Sequence, residues 1–65
     1  MTNEEAKQAF YDDVPVMSNG VFYLKISAII CRKDREGKVI VSAELEDKHR
    51  HSVTIARVKD IQGVK

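Results

Sequence analysis

The residues of this chain whose types could do chemistry are few and widely spaced. His49 and His51 stand two apart around the turn Asp47-Lys48-His49-Arg50. On an extended backbone that spacing points both imidazoles the same way, and the pair could begin a metal site. Zinc takes three or four protein ligands. The other donors, Cys31, Glu46 and Asp47, would have to converge from a strand and a suitably folded hairpin, while Lys48 and Arg50 would repel a cation. No metal site is expected. Cys31 with a histidine would make a thiol nucleophile and its base. Its neighbours Ile29 and Ile30 instead predict a buried, unreactive cysteine. Gly20, Gly37 and Gly63 are scattered turn residues rather than a phosphate-cradling loop. The carboxylates Asp12 and Asp13 have no evident cleft, and Glu44 with Glu46 reads as the polar face of a strand. The expectation is a protein that is not an enzyme, with no catalytic residue and no cofactor.

Nucleic acid is the ligand the remaining charged groups suit best. Lys25, Arg32, Lys33, Arg35, Lys38, Lys48, Arg50 and Arg57 supply cations, and Tyr23 supplies a stacking platform. The net charge is only +1, but it is unevenly spread. Glu4, Glu5, Asp12 and Asp13 outweigh Lys7 in residues 1–13, whereas Lys48, Arg50, Arg57 and Lys59 face no acid within residues 48–59. A near-neutral total gives weak long-range steering, so any such binding would be weak and would fall steeply with salt.

These groups must be held by one small domain. Sixty-five residues bury a low fraction of their surface, and association is one way such a chain gains stability. At 43% hydrophobic and 32% charged residues the composition is that of a globular protein rather than a disordered one. No apolar run approaches the ~20 residues of a membrane-spanning helix. The acidic start Met1-Thr2-Asn3-Glu4-Glu5 is unlike a signal peptide, and one cysteine makes no internal disulfide. A cytoplasmic protein without membrane contact is expected.

Residues 1–11 read as a short helix. Thr2 and Glu5 fit a capping box, Met1 and Ala6 a hydrophobic staple, and Ala6, Ala9 and Phe10 form its only apolar stripe. So short a helix must dock through Phe10 to persist. Residues 12–65 read as strands and tight turns. Val14–Met17 is a short strand carrying Pro15, which belongs at an edge or bulge. Asn19-Gly20 is the strongest turn signal. The stretch Val21–Lys33 then runs as one long strand, with Phe22, Leu24, Ile26, Ala28 and Ile30 as its inward row. Its other row is mixed at first (Val21, Tyr23, Lys25, Ser27) and apolar later (Ile29, Cys31). A strand that changes character in this way is expected to bend and serve two sheets. Gly37 closes a second hairpin, and Val39, Val41, Ala43 and Leu45 form the inner row of the next strand. Ser52–Arg57 follows with Val53 and Ile55 inward, then one turn of tight helix at Val58-Lys59-Asp60 and a last strand at Ile61–Val64.

Asn19-Gly20, the Phe22-Leu24-Ile26 row, Gly37, the Val39–Leu45 row and the Val58-Lys59-Asp60-Ile61 break together give a pattern that resembles the Src-homology-3-like small barrel over residues 14–64. The chain is also similar to small uncharacterised proteins of bacterial mobile elements. The first resemblance implies a mainly β fold, a five-stranded antiparallel barrel preceded here by one short α-helix. With only Phe10, Tyr11, Phe22 and Tyr23 as aromatics, the chain departs from the aromatic-rich groove with which signalling barrels bind proline-rich peptides.

The role expected on this reading is a binding or assembly module acting through a protein partner or self-association. Its candidate interface is Phe10, Ile29, Cys31 and Ile40. Ile29, Cys31 and Ile40 fall on the row expected to face outward, where they would form an exposed apolar patch. The competing expectation is that the helix covers this patch through Phe10.

Overall fold

The first helix begins where Thr2 and Glu5 hold its opening turn. In the computed structural model, which describes residues 1–49 and 52–64, α1 spans Asn3–Asp12. The Glu5 amide donates to Thr2 Oγ1 at 3.1 Å, and the Thr2 amide donates to Glu5 Oε1 at 2.9 Å. Two of the amides that every helix leaves without intrahelical partners are thereby satisfied. Asp13 ends the helix in the left-handed region at φ 52°, its amide donating to the Ala9 carbonyl. Ala6 and Ala9 are buried, and their small side chains let the helix backbone lie close to β3.

Among the described residues six strands follow: β1 (Val16–Ser18), β2 (Val21–Tyr23), β3 (Lys25–Lys33), β4 (Val39–Glu46), β5 (Val53–Arg57) and β6 (Ile61–Gly63), with a 3-10 turn at Val58–Asp60 before β6. They form two antiparallel three-stranded sheets, ordered β2-β1-β6 and β3-β4-β5, and neither closes on itself. The expectation of a five-stranded closed barrel is corrected here. The protein is mainly β with one N-terminal helix, but the stretch Val21–Lys33 is interrupted at Leu24 and counts as two strands. Its first part pairs with β1 and its second with β4. The bend that lets one stretch of chain serve two sheets is at Leu24, whose amide still donates to the Glu46 carbonyl at 2.9 Å.

The hairpins follow from their turn residues. Asn19 and Gly20 both adopt positive φ, 51° and 76°, as the two-residue turn between β1 and β2 requires. Between β3 and β4, Asp34 Oδ1 accepts from the amides of Glu36 (2.8 Å) and Lys38 (2.9 Å), and Gly37 takes φ 82°. Pro15 lies just before β1 rather than within it, so no ladder hydrogen bond is lost to its missing amide.

The core lies where the two sheets and α1 meet. Ala6, Ala9, Val16, Ile26, Ala43, Leu45, Val58 and Ile61 are buried, and Met1, Phe10, Tyr23, Ile29, Val41 and Ala56 pack against them. Ser18 is polar and buried, and its hydroxyl donates to the Asp60 carbonyl at 3.1 Å, tying β1 to the 3-10 turn.

One irregularity decides which side chains belong to this core. The β3–β4 register shifts between Ile26 and Ala28, leaving Ser27 as the extra residue of a β-bulge. Ile26 lies opposite Leu45, but beyond the bulge Ile29 lies opposite Ala43 and Cys31 opposite Val41, all on the core side. Ala28 and Ile30, opposite Glu44 and Ser42, pass to the outer side. The inward row expected at even positions is therefore right at Ile26 and reversed at Ala28 and Ile30, because one inserted residue flips every later side chain. Phe22 of that row, in β2, is also exposed. Ser27 is held at the bulge by bonds from its hydroxyl to the Glu44 carbonyl (3.3 Å) and to Glu44 Oε1 (3.0 Å).

Candidate functional site

The outer face of the β3-β4-β5 sheet is left uncovered along all three strands. Residues directly opposite in adjacent strands share a face, so the register builds it row by row. Val53 lies beside Glu46 and Lys25, Ile55 beside Glu44 and Ala28, Arg57 beside Ser42 and Ile30, and Ile40 beside Arg32. Val53 and Ile55 are 52% and 54% exposed, far more than core side chains. This corrects the expectation that both point inward. The closing pair of the β4–β5 turn sets the phase: the Asp47 amide donates to the Ser52 carbonyl at 3.1 Å, which places Val53 opposite Glu46. Once Glu44 and Glu46 are taken as the polar face of β4, their partners Val53 and Ile55 must share it. That parity was the available signal. The apolar alternation in β5 misleads because the inward residues are Thr54 and Ala56, the latter half-buried against the core.

The face is charged at its two ends. Glu44 and Glu46 lie toward the β4–β5 turn, and Arg32 and Arg57 toward the β3–β4 hairpin. Among the described residues Glu44, Arg32 and Arg57 have no ion-pair partner. Lys25, at the acidic end, is held by Asp13 at 3.8 Å. Ala28, Ile30, Ile40, Val53 and Ile55 supply apolar area between and around these charges.

The four residues expected to make the interface are separated by the fold. Phe10 and Ile29 both pack against the buried cluster, and α1 lies against β3. Cys31 shares the core side with Ile29 but is exposed, contrary to its expected burial. It sits where β3 outruns the core: every residue from Cys31 to Val39 is exposed. Ile40 is on the opposite side of the sheet from Ile29 and Cys31 and belongs to the outer face. The expected patch is thus divided between a covered half and an outer half.

Of the basic residues, Arg32, Lys33, Arg35 and Lys38 belong to the β3–β4 hairpin and Arg57 to the end of β5. Lys38 is paired with Glu36 at 3.7 Å. Lys48 is exposed in the following turn, while Arg50 and His51 lie outside the described residues. Tyr23 packs against the core, which leaves only part of its ring for stacking. Beside the end of β5, a groove of ≈260 Å³ is lined by Met1, Asn3, Val39, Ile40, Val41, Arg57, Val58 and Lys59. It opens where β5 stops at Arg57, opposite Ser42, so that among the described residues the start of β4 has the 3-10 turn rather than a paired strand on that side.

Among the described residues no group of three or more His, Cys, Asp or Glu side chains is placed to hold a metal ion, and no helix is long and apolar enough to cross a membrane. No protein-family model, curated protein or solved structure matches the chain.

Proposed function

We propose that this chain is a non-enzymatic binding or assembly module that works through protein–protein contacts, with the outer face of β3-β4-β5 as its contact surface. The observation that carries this reading is the pair Val53 and Ile55, both more than half exposed on a sheet face that also presents Ile30 and Ile40. Exposed apolar side chains that flank charged groups on one sheet face make a surface suited to protein contact. The order of elements, with one bent stretch feeding two sheets and a 3-10 turn before the last strand, supports the resemblance to Src-homology-3-like barrels. A cytoplasmic accessory protein of a bacterial assembly fits this reading.

The test is a photo-cross-linking residue introduced at position 55, compared with one at position 36 in the exposed hairpin tip. Protein adducts are expected from position 55 only. The partner, once identified and reconstituted from purified components, should bind the wild-type chain and lose binding to Ile55→Lys. No adduct above the position 36 background, or binding indifferent to Ile55→Lys, would sink the proposal.

A second reading is weak nucleic-acid binding through the basic loops 32–38 and 48–57. Arg32 and Arg57, which lack ion-pair partners among the described residues, favour it, as does the groove bordered by Arg57 and Lys59. Its mark is affinity that falls linearly on a logarithmic salt scale. Absence of binding to single- and double-stranded nucleic acid at low salt removes it.

A further inference from the structure

We propose that the outer face of β3-β4-β5 is where two copies of this chain meet, packed sheet on sheet about a two-fold axis that lies in the interface and runs across the strands. This rests on the reading of that face as a protein contact surface and names its occupant. The charge pattern selects both the partner and the axis. Glu44 and Glu46 mark one end of the face and Arg32 and Arg57 the other. A surface with opposite charges at its two ends complements an end-to-end reversed copy of itself, and a two-fold interface is such a pairing.

Two in-plane axes would keep the strands of the facing sheets aligned. An axis parallel to the strands keeps every row at its own level, so the acidic ends of the two copies lie together, with Glu44 over Glu44 and Glu46 over Glu46 where the axis runs along β4. Like charges in direct opposition disfavour that arrangement. An axis across the strands, passing between the Glu44 and Ser42 rows, reverses one sheet against the other. Glu44 then lies over Ser42 of the second copy with that copy's Arg57 one strand away, and Glu46 lies beside its Arg32. Ala28 meets Ile30 in the same arrangement, so apolar surface is buried beside the charge pairs. The same arrangement sets Lys25 over Arg32 of the other copy, a like-charge contact at the margin of the face that the exposed 3.8 Å ion pair of Lys25 with Asp13 offsets only in part and that weakens the dimer.

The size of the face sets the strength. Three strands about 4.8 Å apart and four outward rows about 6.6 Å apart give a projected footprint of roughly 350 Å². Standard stable interfaces bury about 800 Å² per partner, so the dimer is a weak one that forms only at high protein concentration.

Sedimentation equilibrium on the full chain tests this with the wild type, Glu44→Arg, Arg57→Glu and the double variant. The wild type should dimerise reversibly. Each single reversal should raise the dissociation constant about tenfold or more, and the double variant should recover it, since Arg at 44 then meets Glu at 57. A wild type that stays monomeric up to its solubility limit overturns the proposal, as does a double variant no better than the singles.

Should a charge reversal disturb folding by circular dichroism, Ile55→Cys in a Cys31→Ser background replaces it, treated with a short bis-maleimide. A covalent dimer absent from the matching Glu36→Cys control supports the two-copy arrangement. Only adducts between position 55 and a foreign protein would defeat this inference and leave the proposed function standing. No protein adduct of any kind would defeat both.

Discussion

Replacing Ile26, Ile29 and Ile30 by alanine, one at a time, tests the β-bulge on which the inner and outer faces depend. Ile26 has no exposed surface and lies opposite the equally buried Leu45. Ile→Ala removes three carbon groups worth about 0.8 kcal/mol each on transfer, and the cavity left in a tightly filled site raises the loss to about 3–4 kcal/mol. A domain of this length has roughly 3–10 kcal/mol in all, so Ile26→Ala should remove a large part of its stability. At about 4–8 °C per kcal/mol, the midpoint should fall by roughly 12–30 °C. Ile29 is half-buried but packs against the core, and its loss should cost about 2 kcal/mol. Ile30 is on the outer face, and its truncation should cost about 1 kcal/mol or less. The assay is thermal and urea unfolding by circular dichroism at low protein concentration, where association contributes little. Were the strand regular, Ile26 and Ile30 would share a face and Ile29 would be opposite. An Ile30→Ala loss as large as that of Ile26→Ala, with Ile29→Ala nearly silent, would refute the bulge and every face assignment made from it.

Other perturbations probe the turns, the cap and the link between the sheets. Gly20→Ala should lower stability by about 1–2 kcal/mol in urea unfolding; its added methyl would meet no atom within 4 Å, so the loss would come from the φ of 76° alone. The Glu5 carboxyl is held below its ordinary value, first by the bond from the Thr2 amide and then by that from the Thr2 hydroxyl. A depressed folded-state pKa means stability present above the unfolded-state value and lost as pH falls through the folded one. Helix content followed by circular dichroism should therefore decline as pH drops below the ordinary carboxylate range, and Glu5→Gln should remove that part of the decline. Ser18→Ala should cost about 1 kcal/mol by leaving the Asp60 carbonyl without its hydroxyl donor; an unchanged denaturation midpoint would show that the bond contributes nothing.

What local chemistry determines was legible in the amino-acid sequence. The capping box at Thr2 and Glu5, the positive-φ turn at Asn19-Gly20, the glycine of the second hairpin, the bounds of β4 at Val39–Glu46 and the 3-10 turn at Val58–Asp60 all follow from residues within a few positions of one another. The change of character along Val21–Lys33 also announced a stretch shared by two sheets. What could not be read was which side each later residue takes. That is set by pairing: Ser27 is the extra residue of the bulge, its one hydroxyl proton shared between the carbonyl and carboxylate oxygens of Glu44, and the shift moves Ile29 inward and Ile30 outward. Likewise Val53 and Ile55 face out because β5 pairs in phase with the glutamates of β4. The sequence by itself determined a mainly β chain with a capped helix and the places where it turns. Only the tertiary structure decided which apolar residues fill the core and which are presented, because a strand's period of two fixes its alternation but leaves the phase to its neighbours.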